Sequence, residues 1–562
     1  MAEATSVHLV VLEAWNITRF LSVTNKRREI AGASELITYL DRRWVGEALE
    51  RLHPGFSPEW RIEAHPVEVL ETGAGSAKVL VRGVEQARVL VTDVTSAALR
   101  QAPGLEVTGV VGEPFDWDEP GALHEALREV QRVLEPVRTS LPGPDARFLR
   151  LPMVDECAST GLPAASLSRL YPGEREPRSA ESLAKWQAYG KEDEGDGLGR
   201  LAKLAGTEPR ALKRVVKYLA EKAEWVGVVY ADGNGLGDVF GSLDACVTDP
   251  GNRCYADTLR SFSAAVQAAA KAAFAEAVDV LGEEGAGLGQ KGEGPVPVLP
   301  LILGGDDLMV ICEGAWALPF TATYLRAFER HTAGSPQISG ALARRGKGPG
   351  LSACAGVAIV KAHFPFAVAH TLAYDLMAEE AKQVKVRVQG VPCSALSFHV
   401  LYDSSSADLS RIRLRQTVAG AEETRLTAQP YVVSDFDSES AWVEGRRWSD
   451  LLGRVGAVAA RGEEGERLLP VSQLHDLREA LFQGREVADG RLDNLRGRYG
   501  RRGIDALLGG RASLFWRPSE DDPWTTGLLD AMDAEQFLPL EAPEVHQAAE
   551  AAETPEVSGA SR

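Results

Sequence analysis

The chain has 562 residues, and its 61 Lys and Arg against 80 Asp and Glu give a formal net charge of −19. With 44% hydrophobic and 25% charged residues, the composition is that of a soluble globular protein, which excludes a mainly disordered or fibrous chain. A chain of this length allows about four domains.

Membrane and secretion signals are not found in the sequence. It contains no run of about 18 apolar residues, and it does not begin with a basic segment followed by an apolar one. These features predict a cytoplasmic protein with no membrane contact. The excess of negative charge argues against nucleic-acid binding over the whole surface, so RNA would bind at a local patch or through partner subunits.

The six cysteines contain no C-x-x-C pair, which argues against a disulfide framework and against a complete cysteine-based zinc site. We therefore expect buried thiols and no zinc. The cysteines are Cys157, Cys246, Cys254, Cys312, Cys354 and Cys393.

The first part of the chain, residues 1–150, has the pattern of a mixed α/β domain. Strands are predicted at 7–12, 67–70, 78–81 and 105–111, and helices at 33–52, 85–100 and 122–134. Residues 151–220 are rich in Pro, Gly and charge and end in a helical run at 209–224, so they are predicted to form a connecting region.

Residues 221–405 have the most informative pattern. A strand at 225–230 leads into a glycine-rich turn at 232–237 and a long Ala-rich helix. Apolar strands at 296–303 and 308–312 then flank Gly304-Gly305-Asp306-Asp307, which indicates a β-hairpin with a tight turn. A helix at 318–331, a strand at 351–360, a helix at 366–386 and a strand at 394–401 follow. The order β-α-β-β-α-β with an added α-β predicts a ferredoxin-like fold.

The remainder divides into two parts. Residues 406–540 are charged and carry leucines at helical spacing, which predicts a C-terminal α-helical domain. Residues 541–562 are rich in Ala, Glu and Pro with almost no large apolar side chains, which predicts a disordered tail.

Three aspartates are the candidate catalytic residues. Asp306 and Asp307 follow two glycines at the end of a predicted buried sheet, where adjacent like charges repel unless a cation neutralises them. Asp232 ends another apolar strand, and in a ferredoxin-like sheet that strand is a neighbour of the hairpin. Carboxylate oxygens are the ligands that Mg²⁺ prefers, and two such ions (or Mn²⁺) can support nucleotidyl transfer. An isolated Asp-Asp pair is more often simply solvated.

Several nearby residues are candidates for nucleotide binding. Gly304 and Gly305 leave room for a nucleotide, and the turn containing Gly233, Asn234 and Gly237 can offer backbone N–H groups to phosphates.

Two lysines complete the candidate nucleotide site. Lys382 and Lys385 lie three residues apart on a predicted helix, and either can reach a triphosphate. The alternative is a solvated ion-pair face formed with Glu379 and Glu380.

These motifs resemble the second palm domain of the large polymerase/cyclase subunit of type III CRISPR effector complexes. The resemblance is carried by residues 232–237, the 304–307 turn, residues 352–356 and the Phe364-Pro365 helix entry. Residues 25–34 and 73–76 are similar to that family's first, catalytically silent palm. The resemblance covers roughly residues 1–400 and implies two palms, a first in 1–150 and a second in 221–405.

The resemblance implies an enzyme that joins ATP through 3′–5′ bonds into cyclic oligoadenylate when an assembled complex has captured target RNA. Asp232, Asp306 and Asp307 would be its metal ligands. The implied partners are a guide RNA-containing complex with small and backbone subunits. The chain departs from the family at Asn234, which replaces an acidic residue, and at Thr160, which stands where a zinc-ribbon cysteine is expected after Cys157.

Other features are weaker. The first palm begins near residue 7, and the His475-Asp476 dipeptide has no second histidine nearby, so no HD-type DNase activity is predicted. An arginine cluster is either an RNA or partner contact or a solvated helix face. Its members are Arg491, Arg496, Arg498, Arg501 and Arg502.

Two alternatives of function stay open at this point. The first is a weak or inactive scaffold and RNA-binding subunit, which Asn234 favours. The second is a stand-alone antiviral cyclase that uses no guide RNA. A diguanylate cyclase is less attractive, because two palms and a helical C-terminal block are not expected of that related family.

Overall fold

The structure is a computed structural model of the chain. It describes residues 6–73, 75–171, 173–190, 196–283, 294–388, 391–402, 407–420, 422–436, 440–461, 466–499 and 504–538. The predicted tail at 541–562, most of the glycine-rich segment at 282–294, and Arg501 and Arg502 lie outside the described residues.

The first sheet has the strand order β2-β3-β1-β4, with the short β5 paired to the start of β1. All its pairings are antiparallel, which is the arrangement of a ferredoxin-like βαββαβ unit. Its elements are β1 (Ser6–Trp15), α1 (Ile17–Ser22), α2 (Arg27–Tyr39), a π-helical turn (Leu40–Trp44), α3 (Val45–Leu52), β2 (Val67–Gly73), β3 (Ser76–Val81), α4 (Val84–Gln101), β4 (Glu106–Val111), β5 (Phe115–Asp116) and α5 (Ala122–Ser140).

The apolar run in β1 is long because both faces of its sheet are covered. Val7, Leu9 and Val11 pack in one hydrophobic cluster with α5, and Val10 and Leu12 pack in a second cluster with α2 and α4. A strand buried on both faces loses the polar alternation of a half-exposed strand.

The connecting region combines short strands with helices that pack against the first palm. Gly32 in α2 lies so close to α7 that an added Cβ would be 1.7 Å from the carbonyl oxygen of Lys185. After α6 (Pro144–Arg147) at the end of the first part of the chain, the elements of the region are β6 (Ser166–Ser168), β7 (Glu176–Arg178), α7 (Ala180–Tyr189), α8 (Gly197–Leu204) and α9 (Pro209–Glu221).

The second sheet has the order β15-β12-β11-β8-β10-β9. Its four strands β11-β8-β10-β9 are antiparallel and repeat the ferredoxin-like arrangement, and β12 adds in parallel to β11. The elements are β8 (Trp225–Gly233), α10 (Leu236–Gly241), a 3₁₀ turn (Leu243–Cys246), α11 (Asn252–Glu283), β9 (Val298–Gly304), β10 (Asp307–Glu313), α12 (Gly314–Ala333), α13 (Pro336–Arg344), β11 (Ala353–Lys361), α14 (Phe366–Asp375), a π-helical turn (Leu376–Glu380), a 3₁₀ turn (Ala381–Gln383), α15 (Val384–Arg387) and β12 (Ala395–Val400).

The C-terminal region is mainly helical and also contributes strands. Its β15 pairs with β12 and so extends the second sheet, while β13, β14 and β16 form a small separate sheet. The elements are α16 (Leu409–Arg415), β13 (Thr417–Val418), β14 (Thr424–Arg425), β15 (Tyr431–Val432), a 3₁₀ turn (Ala441–Val443), α17 (Trp448–Ala459), α18 (Val471–Gln483), α19 (Arg485–Tyr499), α20 (Ile504–Leu508), β16 (Trp524–Thr525), α21 (Leu528–Ala534) and a final 3₁₀ turn (Glu535–Phe537).

The two palms are in direct contact. The Ser34 hydroxyl in α2 donates to the carbonyl oxygen of Leu301 in β9. Nearby, the guanidinium of Arg27 donates to the carbonyl oxygen of Ala362 over 3.2 Å, and the side chain of Asn25 accepts from the backbone N–H of Phe366 over 2.8 Å. The predicted fold class, two ferredoxin-like palms with a connecting region and a helical C-terminal block, is confirmed. The exact domain boundaries stay predictions.

Two helix predictions in the second palm need correction. The helix predicted at 366–386 is not continuous, because a π-helical turn and a 3₁₀ turn interrupt it between α14 and α15. The long helix does not follow the glycine-rich turn directly, since α10 has only six residues and a 3₁₀ turn separates it from α11.

Five of the six cysteines are buried, as predicted, and Cys254 is half-buried. Among the described residues, no helix has the combined length and apolar character needed to cross a membrane.

Candidate active site

The register of the second sheet brings two of the three aspartates together. β10 pairs antiparallel with β8, with Leu308 opposite Ala231 and Met309 opposite Tyr230. Continuing this register places Asp307 beside Asp232 at the end of the ladder. Paired residues point to the same face of a sheet, so the two carboxylates share one face. Asp232 is the penultimate residue of β8, close to the strand end that the sequence predicted for it, and it pairs with Cys354 of β11.

Asp306 reaches the site from the hairpin turn. Gly305 has a φ of +61°, a conformation that favours glycine and allows the two-residue turn between β9 and β10. The side chain of Asp306 packs against Gly233, where an added Cβ would lie 2.7 Å from the Asp306 Cβ. Glycine at 233 therefore makes room for Asp306 next to the strand that carries Asp232.

The three carboxylates influence one another electrostatically. Burial raises the pKa of Asp306 to about 6, and the charge of Asp232 contributes to the rise. Burial, together with the charges of Asp306 and Asp232, also raises the pKa of Asp307. Like charges held this close in a partly buried site create a strong local negative potential, which favours a cation.

Tyr230 is connected to the aspartates by a hydrogen bond. Its hydroxyl donates to Oδ1 of Asp307 over 3.1 Å, and its ring lies 5.6 Å from that of His370 and 5.5 Å from that of Tyr374. Burial and the negative charge of Asp307 raise the pKa of Tyr230, so the hydroxyl stays protonated and acts as a donor.

Lys382 forms an ion pair with Asp232. Burial lowers the pKa of the Lys382 ammonium, but the hydrogen bond and the charge of Asp232 outweigh this effect and the net pKa is raised. Lys382 lies in the 3₁₀ turn after the π-helical turn. The predicted alternative, a surface ion-pair face with Glu379 and Glu380, is wrong for Glu380, which instead forms a bidentate pair with Arg413 at 2.5 and 2.6 Å.

Asn234 serves as a structural donor next to the aspartates. Its side-chain amide donates to Oγ of Ser352 over 3.1 Å, to Sγ of Cys354 over 3.3 Å and to the carbonyl oxygen of Cys393 over 3.1 Å. Its backbone N–H also donates to the carbonyl oxygen of Ser352 over 2.8 Å. Its Oδ1 is buried and has no hydrogen-bond partner among the described residues. An aspartate at 234 would lack the donor that makes these three contacts.

The donor set fits Mg²⁺ or Mn²⁺ in its chemistry, because three carboxylates supply hard oxygen ligands and an excess of negative charge. The arrangement of these side chains in this structure does not yet form such a site. Within the described part of the chain, no group of three or more His, Cys, Asp or Glu side chains is positioned to hold a metal ion as it stands. In this arrangement Lys382 engages Asp232 and Tyr230 engages Asp307.

A cavity of about 950 Å³ begins at Asn234. This volume is at the upper end of the about 300–1,000 Å³ typical of small-molecule sites. Asn234, Gly237 and Lys385 line it, together with the loop before β11. These three predicted nucleotide-binding residues therefore face one cavity.

The other predicted nucleotide-binding residues lie elsewhere around the aspartates. Gly304 pairs with Asp307 across the hairpin and borders a separate cavity of about 490 Å³ between the palms. Gly305 forms the turn and Gly233 packs against Asp306. Of the two candidate lysines, Lys382 pairs with Asp232, whereas Lys385 lines the cavity of about 950 Å³.

Several residues of the site were not identified from the sequence. Tyr230 could have been found, because it lies two residues before Asp232 and alternation in a strand puts both side chains on one face. Ser352, Arg345 and Lys347 could not, because only the tertiary fold brings their loop to the turn after β8.

Features outside the second palm make local contacts. Asp476 of the His475-Asp476 dipeptide forms an ion pair with Arg491, and Arg496 pairs with Asp505 at 2.8 Å. At the zinc-ribbon remnant, Sγ of Cys157 lies 3.5 Å from Oγ of Ser159, and the Thr160 hydroxyl lies 3.1 Å from that of Ser179.

The fold and the carboxylate-bearing hairpin define a palm-type domain. Residues 225–389 match the family model described as Cas10/Cmr2, second palm domain. This part of the chain is therefore a second palm of the Cas10 type, which confirms the predicted resemblance. Among curated proteins, none matches the chain.

Solved structures with a similar fold come from Csm1–Csm4 assemblies. The Csm1–Csm4 cassette in complex with cA4 is 14% identical, with a TM-score of 0.45, and the match covers 98% of this chain and 69% of that one. The Csm1–Csm4 subcomplex in the type III-A CRISPR-Csm interference complex is 14% identical with a TM-score of 0.40, and the cassette in complex with one ATP is 15% identical with a TM-score of 0.39. Each of these two matches covers 69% of this chain and 54% of that one. Matches at this level carry no information about what this chain binds.

Proposed function

We propose that the second palm is a metal-dependent nucleotidyltransferase that joins ATP through 3′–5′ bonds into cyclic oligoadenylate. The observation that carries this proposal is the convergence of Asp232, Asp306 and Asp307 within a Cas10-type second palm, beside a cavity of nucleotide size. The three aspartates create a negative potential that attracts metal cations, and such cations in turn attract an anionic substrate.

In this proposal, Asp232, Asp306 and Asp307 hold two Mg²⁺ or Mn²⁺ ions. Such ions, when bound, lower the pKa of an attacking hydroxyl and neutralise charge on phosphate oxygens. Tyr230 orients the carboxylate of Asp307 through its hydroxyl, and the Lys382 ammonium becomes available to phosphate oxygens when it leaves Asp232. Zinc has no role in the proposal.

The reaction forms a bond from the 3′-oxygen of one ATP to the α-phosphorus of another. The bond from that phosphorus to the oxygen bridging to the β-phosphate breaks, so pyrophosphate leaves, and the hydroxyl proton passes to solvent. We assign no side chain as general base. Repeating the step, and closing the last 3′-oxygen on the first α-phosphate, gives a ring.

We further propose that the chain works in the cytoplasm in CRISPR antiviral defence. Its partners would be a guide RNA-containing complex with small and backbone subunits, and target RNA would trigger activity. The contact between the palms through Ser34 and Leu301 offers a route by which the first palm, proposed to be catalytically silent, affects the hairpin.

The test is to incubate the purified chain with labelled ATP and Mg²⁺, with and without RNA-loaded partner subunits. We expect oligoadenylate products that the Asp306→Asn/Asp307→Asn double variant does not form, although it still assembles with the same partners. No product from the parent chain under either condition would contradict the proposal. Product formed without guide RNA or partners would indicate a stand-alone cyclase.

A non-catalytic scaffold is the second candidate function. It is favoured by the Lys382–Asp232 ion pair, which neutralises one of the three aspartates. If the double variant behaves like the parent in every assay, including RNA-dependent assembly, the scaffold function is supported.

A further inference from the structure

The cavity next to the aspartates is positively charged in a chain that is strongly acidic overall. Its lining includes the cationic side chains of Arg345, Lys347 and Lys385 and only one carboxylate, Asp238, so the net charge of the lining is positive. The whole chain carries a formal charge of −19. A cleft lined by one sign of charge concentrates ions of the opposite sign.

These three cations are not engaged by the protein. Within the described ranges, the side chains of Arg345, Lys347 and Lys385 make neither a hydrogen bond nor an ion pair, whereas Lys382, three residues before Lys385, is paired with Asp232. Cations that line one cavity without a protein partner give it a positive potential, which attracts anions.

The loop that carries two of the cations is fixed at its base. The backbone N–H groups of Arg345 and Lys347 both donate to the carbonyl oxygen of Leu342 over 3.0 Å. The guanidinium of the preceding Arg344 donates to the carbonyl oxygen of Cys246 over 2.8 Å, which ties the loop to the segment after α10. The backbone that carries Arg345 and Lys347 therefore loses little entropy when a ligand binds.

The cavity borders the turn that directly follows Asp232, although none of the three aspartates is among its lining residues. Asn234, two residues after Asp232, lines it together with Ser352, and the Asn234 N–H is bonded to the Ser352 carbonyl oxygen over 2.8 Å. A triphosphate that spans this turn would place its reactive phosphate near the aspartates and its remaining phosphates in the cavity.

We infer that Arg345, Lys347 and Lys385 bind the β- and γ-phosphates of a nucleoside triphosphate in this cavity. The inference rests on the proposed function, since it places the polyphosphate of the same substrate. Arginine suits this role because its planar guanidinium can contact two phosphate oxygens at once. The cavity residues then select triphosphates over mono-phosphates and nucleosides.

The experiment measures binding to the full chain by calorimetry in Mg²⁺, with a non-hydrolysable ATP analogue, inorganic tripolyphosphate, adenosine and a short single-stranded RNA as probes. The variants are Arg345→Ala/Lys347→Ala and the charge-preserving Arg345→Lys/Lys347→Arg. The matched control is Arg169→Ala/Lys222→Ala, which removes the same charge from exposed positions outside the cavity lining.

We expect the alanine pair to bind the ATP analogue and tripolyphosphate with an affinity about 10- to 100-fold lower than the parent, since each charge-assisted contact changes affinity by about tenfold. Adenosine binding should be unchanged, the charge-preserving pair should retain most of the affinity, and the control should match the parent. Three results would each overturn the inference. The parent and the alanine pair could bind the probes equally, the parent could show no detectable binding of the analogue, or the alanine pair could lose affinity for the RNA alone.

The two proposals fail separately. If the loop-dependent binding is found but no oligoadenylate forms in the turnover assay, the cavity assignment stands and the cyclase is wrong. If oligoadenylate forms and the alanine pair leaves both analogue affinity and the KM for ATP unchanged, the cyclase stands and the cavity assignment is wrong.

Discussion

Lys382 and Asp232, 150 residues apart in the chain, form an ion pair at the edge of the second sheet. The pair joins the turn after α14 to the strand that carries the first of the three aspartates. It means that a cation of the protein already occupies part of the site proposed for Mg²⁺.

The ion pair predicts competition between the Lys382 ammonium and a divalent cation. Lys382→Met removes the charge and keeps the length of the side chain. We expect the variant to melt at a lower temperature than the parent without metal, because three carboxylates lose their neutralising cation. In a Mg²⁺ titration followed by thermal shift, its midpoint should be about 5-fold lower, which corresponds to about 1 kcal/mol for a half-buried pair.

Two variants serve as controls for this prediction. Lys382→Arg keeps a cation at the same place and should resemble the parent, and Lys222→Met removes an exposed lysine outside the site. An unchanged or higher Mg²⁺ midpoint for Lys382→Met would show that the ammonium and the metal do not compete.

The raised pKa of Asp306 predicts that Asp306→Asn stabilises the metal-free chain. Because its folded pKa is about 6, above the usual carboxyl value, the ionised form opposes folding, and this effect grows as the pH rises through the range between the two values. At pH 8 with EDTA we expect the variant to melt about 2 °C or more above the parent. Below about pH 3 the difference should disappear, since the group is then largely protonated in both states.

The same variant reports on metal binding. Mg²⁺ should raise the melting temperature of the parent more than that of Asp306→Asn, which has lost one ligand. Asp244→Asn, at an exposed aspartate of the same palm, is the matched control. A variant that melts below the parent at pH 8 without metal would contradict the electrostatic account of the site.

Asn234 is predicted to be required for structure rather than to be a weakened metal ligand. Asn234→Asp replaces a donor to Ser352, Cys354 and Cys393 with a carboxylate that meets the Cys393 carbonyl oxygen. We expect a loss of about 1–3 kcal/mol of stability, measured by chemical or thermal unfolding. Ser352→Ala, which removes only one acceptor, should cost less. A fully stable Asn234→Asp chain with tighter Mg²⁺ binding would show that position 234 is a metal-ligand position.

Tyr230 is predicted to position Asp307. Tyr230→Phe removes the hydroxyl and keeps the ring contacts with His370 and Tyr374. We expect kcat for oligoadenylate synthesis to fall about tenfold, the effect of one charge-assisted hydrogen bond, with little change in the KM for ATP. Tyr374→Phe, at a half-exposed ring, is the control. A change in KM with kcat intact would instead assign Tyr230 to substrate binding.

Local patterns were sufficient to predict the hairpin and the sheet around it. Two glycines between apolar strands indicate a tight turn, and the ferredoxin-like order then makes the strand carrying Asp232 a neighbour of that hairpin. The structure has this arrangement, with Gly305 at a positive φ and Asp307 starting β10. The convergence of the aspartates could therefore be argued before any coordinates.

The break between α14 and α15 could not be predicted in the same way. The Leu376–Glu380 segment contains no Pro or Gly and reads as ordinary helix, yet it forms a π-helical turn. The partners of the residues around it are distant in sequence, since Glu380 pairs with Arg413 and Lys382 with Asp232. Such tertiary contacts override helix propensity, and one sequence does not reveal them.

The cation-lined cavity is a second feature that depends on the tertiary fold. Arg345 and Lys347 lie in a glycine-rich segment that looks like a solvated loop. Only the tertiary fold, which includes the bond from Arg344 to the segment after α10, brings them to the same cavity as Lys385.

The central claim is that Asp232, Asp306 and Asp307 hold divalent cations, and an anomalous-difference map from crystals grown with Mn²⁺ and a non-hydrolysable ATP analogue tests it most directly. We predict Mn²⁺ peaks within bonding distance of these three carboxylates, with the Lys382 ammonium moved from Asp232 to a phosphate oxygen. A map in which the analogue is bound, the aspartates have no Mn²⁺ peak and Lys382 still pairs with Asp232 would contradict it.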